Sequence, residues 1–231
     1  MFFIDLIFPI NCFGCGQEEC WLCKSCLENI NFNSWQVCYK CKKQVIFGKT
    51  CNDCQDDNYL DGVISATDYN DRIISDLIKT LKYKFARDVS STLARVLVAF
   101  IKLKLGELEF SSKFKQAIII PVPLHAKRKR WRGFNQAEEI AKKLAEEINF
   151  RIDGKNLVRV INNKPQVSLK SHERIENIKG CFKMKHGTEF NDQIVILIDD
   201  VITTGSTLNE CARVLKLAGA KEVWGLVVAH G

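Results

Sequence analysis

Apolar positions along the chain switch between two spacings. VISATDY at 63–69 is a short, nearly continuous apolar run and predicts a strand. Beyond it Ile73, Ile74, Leu77, Ile78 and Leu81 recur every three or four residues. Leu93, Val96, Leu97, Phe100 and Ile101 repeat that spacing, so two helices are expected over 72–105 with a break near 85–88. AIIIPVP at 117–123 is an apolar run closed by two prolines, the signature of a buried strand entering a loop. Ala137, Ile140, Ala141, Leu144 and Ile148 line one face of a helix over 135–148, with Glu138, Glu139, Lys142 and Lys143 opposite. A strand is expected over 156–161, then a long polar loop over 162–179. A strand over 195–198 follows. Next comes a helix whose face carries Leu208, Cys211, Ala212, Leu215 and Ala218, closed by Gly219, and then a strand over 222–229. Strands alternating with helices predict an α/β domain with a mostly parallel twisted sheet and flanking helices.

Residues 1–58 break this pattern. Nine of the eleven cysteines lie there, and eight form four CxxC pairs: Cys12/Cys15, Cys23/Cys26, Cys38/Cys41 and Cys51/Cys54. Two sulfurs on one tight turn can face one ion, so eight thiolates suffice for two tetrahedral zinc sites. A segment this short cannot fold on apolar burial alone, and metal binding would supply the missing free energy. Spacing permits both sequential and interleaved pairing. Cys20 makes Cys20/Cys23 a competing pair, which leaves the register of the first site open. Cys20, Cys181 and Cys211 otherwise read as small buried or spare thiols. A zinc-binding module over 1–58 and a larger domain over 59–231 are therefore expected, divided at the polar stretch QDDNYLDG.

The opening MFFIDLIFPI is apolar but short, carries Asp5 and lacks a basic start. Neither a signal peptide nor membrane insertion is expected, and the reading is a cytoplasmic protein with reduced cysteines. Charge is uneven. Residues 1–58 hold five Lys against seven Asp or Glu, whereas the remainder holds 29 basic and 20 acidic residues. The larger part thus invites an anionic partner, a phosphorylated small molecule or nucleic acid.

The chemistry concentrates in VILIDDVITTGST at 195–207. A parallel strand delivers its C-terminal end to the crevice where α/β proteins bind ligands. Asp199 and Asp200 stand there, followed by Thr203, Thr204, Gly205, Ser206 and Thr207 at a helix start. Backbone N–H groups and hydroxyls at such a start suit a phosphate, and Gly205 allows close backbone approach. The carboxylates suit vicinal hydroxyls or Mg²⁺. A phosphorylated sugar meets both demands. Other phosphate motifs fail: there is no GxGxxG, and Gly48-Lys49-Thr50 has Lys43 where a P-loop requires Gly.

This stretch resembles the phosphoribosyl pyrophosphate (PRPP) motif of type I phosphoribosyltransferases. The resemblance implies that fold, with Asp199 and Asp200 as the catalytic pair on the ribose hydroxyls, Thr203 to Thr207 on the 5′-phosphate, and Mg²⁺ accompanying PRPP. A second distinctive stretch is PVPLHAKRKRWRGFNQA, within a basic loop over 110–136 that contains no acidic residue. Its Lys127, Arg128, Lys129, Arg130 and Arg132 suit pyrophosphate. With Trp131 and Phe134 interleaved they equally suit single-stranded nucleic acid. Together with the cysteine pairs and with Gln166, Arg174 and Asn177 downstream, the chain resembles the ComF family of competence-associated, phosphoribosyltransferase-like proteins. That resemblance implies a role in DNA uptake during natural competence, with single-stranded DNA and a DNA-uptake or helicase protein as partners. The resemblance supplies no reaction; for a transferase, Lys127–Arg132 would stabilise the leaving charge and Arg174 would close over them. No residue clearly selects an acceptor; an activating group is expected on the 162–179 loop, where His172 and Glu173 are candidates. Three readings stay open: a PRPP-dependent transferase on an unidentified acceptor, a competence factor that binds single-stranded DNA, and a zinc-mediated adaptor.

Overall fold

The computed structural model describes residues 10–56, 58–84, 86–163, 177–185 and 187–231. Two short metal-ribbon-like halves come first. One holds helix α1 (Lys24–Glu28); the other holds the hairpin β1 (Gln36–Val37) and β2 (Gln44–Val45) and helix α2 (Asn52–Gln55). Then follow β3 (Gly62–Asp68), α3 (Arg72–Tyr83), α4 (Val89–Phe100), α5 (Glu107–Lys113), β4 (Ile118–Pro121), α6 (Ala126–Arg132), α7 (Gln136–Ile148), β5 (Arg151–Ile152), β6 (Leu157–Arg159), β7 (Phe182–Met184), β8 (Ile194–Ile202), α8 (Ser206–Leu217) and β9 (Glu222–His230).

Five strands form one parallel sheet in the order β3-β9-β8-β4-β5. Strand β8 lies at its centre. Its alternate residues serve two cores: Ile196 and Ile198 pack with Leu77, Ile78, Leu81, Leu93 and Leu97 from α3 and α4, whereas Val195 and Leu197 pack with Leu208, Cys211 and Leu215 from α8. Burial on both faces explains why these strands read as unbroken apolar runs. The helices begin where the sequence supplies caps: Asp71 accepts from the Ile74 N–H at 3.1 Å, and Asn135 from that of Ala137 at 3.2 Å.

Four details depart from the pattern-based expectation. Strand β8 continues to Ile202, so both aspartates lie inside it rather than after it. The expected basic loop is largely ordered, and Ala126–Arg132 is helical, started by His125 and closed by Gly133 at φ 82°. Alanine followed by long straight-chain basic residues has good helix propensity. Helix α4 runs on as a π-helical turn over Ile101–Leu105. Strand β6 pairs antiparallel with β7 in a separate hairpin, not with the sheet.

The cysteine segment does not stand off from the rest. Leu22, Ile30 and Phe32 share the core of α3 and α4. Trp21 donates from its indole to Asp88 at 2.6 Å, and the Gln36 side chain both donates to Ser65 O and accepts from Ser65 N–H. Among the described residues no helix is long and apolar enough to cross a membrane.

Candidate functional site

Neighbouring residues of a strand face opposite ways, and this separates the two acidic side chains. Asp200 follows the Ile196/Ile198 face toward α3, where the Lys82 Nζ lies 2.9 Å from its Oδ2. That oxygen is buried, and the ion pair is its compensation. Burial alone would lower the Lys82 pKa, but the charge of Asp200 and its hydrogen bond raise it. Asp199 follows the other face and accepts from the Asp200 N–H at 2.9 Å. Burial first, and the neighbouring Asp200 charge second, push its pKa up to about 7. One carboxylate thus faces a lysine, and the other is poised to gain or lose a proton near neutrality.

The loop after β8 turns sharply. Gly205 has φ 76°, a left-handed conformation, and α8 starts at Ser206, whose N–H donates to Thr204 Oγ1 at 3.4 Å. Thr204 Oγ1 and Ser206 Oγ lie 3.0 Å apart, which keeps two hydroxyls beside the first turn of the helix. Thr203 to Thr207 and both aspartates line one cavity of about 500 Å³. Val122, Pro123 and Leu124, at the end of β4, form the facing wall.

The basic stretch divides. Arg128 and Arg132, one helical turn apart on α6, line the cavity together with Trp131. Arg128 also donates to Asn163 O at 2.7 Å. Lys129 is instead paired with Glu138 at 2.7 Å. Lys127 and Arg130 are exposed and outside the cavity wall. Arg174, with Gln166, His172 and Glu173, lies outside the described residues.

Two charged cavity residues escaped the sequence reading. Lys82 sits on a helix whose apolar face was read as core; nothing in spacing marks a lysine at the end of that face as inward. Arg159 comes from the β6 hairpin, with its guanidinium 5.4 Å from the Phe182 ring centre and a buried Nη2 that has no partner among the described residues. Its strand was expected, but the antiparallel return through β7, which brings Phe182 beneath it, was not.

The cysteines gather in sequential order: Cys12, Cys15, Cys23 and Cys26 in one cluster, Cys38, Cys41, Cys51 and Cys54 in the other, with sulfurs within 4.8 Å of one another. Tetrahedral zinc with Zn–S of about 2.3 Å spaces its sulfurs about 3.8 Å apart. Cys15 to Cys23 at 3.7 Å and Cys41 to Cys51 at 3.5 Å match that spacing. The local field favours a thiolate at one cysteine of each cluster. Burial opposes ionisation of Cys12 and Cys38, but backbone N–H groups pointing at each sulfur bring both pKa values down to about 6. Cys26 is pushed up to about 12, chiefly by sharing a proton with Cys23, and Cys54 to about 12 by burial and its sulfur neighbours. Four sulfurs this close cannot all be ionised without a cation between them. Cys20 stands outside the first cluster, and Cys181 and Cys211 are buried elsewhere.

The fold and these clusters define a class, a phosphoribosyltransferase-type domain carrying a double zinc ribbon. Residues 131–230 match the phosphoribosyl transferase domain family, and residues 3–55 match the double zinc ribbon domain family. The chain is 32% identical over 213 residues to competence protein F of Haemophilus influenzae, covering 90% of each. It is 30% identical over 212 residues to competence protein ComFC of Bacillus subtilis, covering 86% of this chain and 78% of that one. To DNA utilization protein YhgH of Escherichia coli strain K12 it is 26% identical over 227 residues, covering 90% and 95%. The chain belongs to the ComF family of competence proteins. Its fold aligns distantly, at TM-score 0.36 and 14% identity, with phosphoribosylpyrophosphate synthetase of Mycobacterium smegmatis, over 73% of this chain and 53% of that one.

Proposed function

We propose that this protein binds PRPP with Mg²⁺ in the cavity below β8 and serves natural competence by handling incoming single-stranded DNA in the cytoplasm. The observation that carries the first half is the meeting in one cavity of Asp199, Asp200 and the Thr203–Thr207 loop. The loop and helix start supply phosphate donors, and the aspartates supply acceptors for the ribose hydroxyls. The donor set suits Mg²⁺ as well, since carboxylates are the ligands this ion takes. When bound with PRPP the ion neutralises pyrophosphate charge. On this reading Asp199 and Asp200 orient the ribose, and Arg128, Arg132 and Lys82 hold developing negative charge on the pyrophosphate side. The second half is supported by the names of the relatives, competence protein and DNA utilization protein. It is also supported by the exposed cations Lys127 and Arg130 beside the 66% exposed Trp131 on α6.

A second reading, transfer of the phosphoribosyl group to an acceptor, is favoured by Arg159. Its guanidinium, with a buried Nη2, shares the cavity with Asp199 and comes from β6 rather than from the phosphate loop. Calorimetric titration of PRPP with Mg²⁺ tests the common core of both readings. Binding to the zinc-loaded wild type that disappears in Asp199→Asn/Asp200→Asn is the expected result; absence of binding to the wild type overturns it.

A further inference from the structure

The second cysteine cluster touches the phosphate loop through one side chain. Tyr39 follows Cys38 directly and is 4% exposed. Its ring lies against Gly205: a Cβ placed on that glycine would fall 2.5 Å from Tyr39 Cδ2 and Cε2. The ring therefore occupies the space that any other residue at 205 would fill, and it lies under the turn that starts α8. The hydroxyl of Tyr39 donates to Asn58 Oδ1 at 2.8 Å, and the Asn58 amide donates to the Cys54 carbonyl. Both CxxC turns of the cluster thus converge on the ring. A second strut runs beside it, where Asn209 Oδ1, on α8, accepts from the N–H groups of Tyr59 at 2.8 Å and Leu60 at 3.3 Å. The first cluster has no comparable contact with the loop among the described residues; its Leu22, Cys23 and Phe32 pack toward α3 and α4.

We infer that Tyr39 is a positioning residue that couples the metal-loaded second cysteine cluster to the shape of the 203–207 loop, so that metal occupancy and sugar-phosphate binding reinforce one another. The inference rests on the PRPP reading above. The CxxC turns are held by their shared ion, and Tyr39 moves with them. A loop that is already seated needs no ordering when the phosphate arrives. By reciprocity, a bound phosphate that fixes the loop must raise the metal affinity of the cluster by the same factor, and a slower release is the expected sign of it.

The experiment uses the full, zinc-loaded chain with PRPP and Mg²⁺ as the probe. Zinc transfer to a colorimetric chelator is followed with and without saturating PRPP. The expected result is that one of two zinc ions leaves at least threefold more slowly in the presence of PRPP while the other is unaffected. In Tyr39→Ala that keeps two zinc ions per chain, PRPP affinity is expected to drop at least tenfold. Wild type that binds PRPP yet loses both ions at unchanged rates overturns the coupling, as does unchanged affinity in a zinc-replete Tyr39→Ala. Should that variant lose its metal, the wild-type release rates decide alone. Wild type that binds no PRPP overturns the site reading itself, and the coupling with it.

Discussion

Lys82 Nζ stands 2.9 Å from Asp200 Oδ2, with 21% and 4% of the two side chains exposed. A buried carboxylate next to a second carboxylate is costly, and this lysine compensates for it. Lys82→Met is expected to destabilise the fold by roughly 3–5 kcal/mol, the usual cost of stranding one partner of a buried pair. The loss should be greater at pH 8 than at pH 6, because protonation of Asp199 relieves the unpaired charge. The double variant Lys82→Met/Asp200→Asn should recover most of the loss. Urea unfolding at both pH values checks this, and a Lys82→Met protein as stable as wild type at pH 8 contradicts it.

The raised pKa of Asp199, about 7, gives a signed pH dependence. Unfolded, the group titrates near its ordinary value of 3.8. Between those values the folded state binds the extra proton, so this residue's contribution to stability is full below about 4 and is lost as pH rises toward 7. Ligand binding runs the other way if it uses the ionised pair. PRPP affinity should rise from pH 6 to 8, with proton release on binding near pH 7, and Asp199→Asn should flatten both. Titration in buffers of different ionisation enthalpy measures the released proton. Affinity independent of pH over that interval would exclude the role given to Asp199.

The division of the basic helix separates two activities. Arg128→Ala and Arg132→Ala should weaken PRPP binding, since both line the cavity. Lys127→Ala and Arg130→Ala should leave it unchanged. If the exposed pair contacts single-stranded DNA, each substitution should lower the slope of log affinity against log salt by about 0.7. Fluorescence anisotropy with a labelled oligonucleotide across a salt series reads that slope; slopes unmoved by either change place the DNA elsewhere.

The cysteine clusters predict a metal count. Atomic absorption should find two zinc ions per chain in wild type and in Cys20→Ser, whose sulfur stands outside the first cluster. Cys41→Ser, at an exposed ligand of the second, should leave one firmly held. Two ions still firmly held in Cys41→Ser would reassign the ligands.

What was legible in the sequence followed from burial. Strands such as Ile118–Pro121, covered on both faces, show as apolar runs, and α7 shows its 3.6-residue stripe because only one face is buried. The acidic pair and the hydroxyl loop were legible because residue type and order carry their chemistry directly. Sequential cysteine pairing was not, since spacing allows both arrangements and only the turns around Cys12 and Cys38 decide. Lys82 and Arg159 were hidden for a related reason. Their contributions depend on which elements meet in space, and a charged residue at the edge of an apolar stripe looks the same whether it faces solvent or a cavity.

The shared core under the cysteine segment bears on how mutants should be made. Leu22, Ile30 and Phe32 cover the side of α4 that carries Phe100, with the Phe32 and Phe100 ring centres 5.9 Å apart. A truncated gene lacking the first 58 codons would yield a protein with that greasy flank bared to water, prone to clump or be degraded. Its transformation phenotype would then report loss of the whole molecule. Single-codon changes at Tyr39, Cys41 or Arg130 test the proposed coupling, metal and nucleic-acid roles while leaving that flank covered.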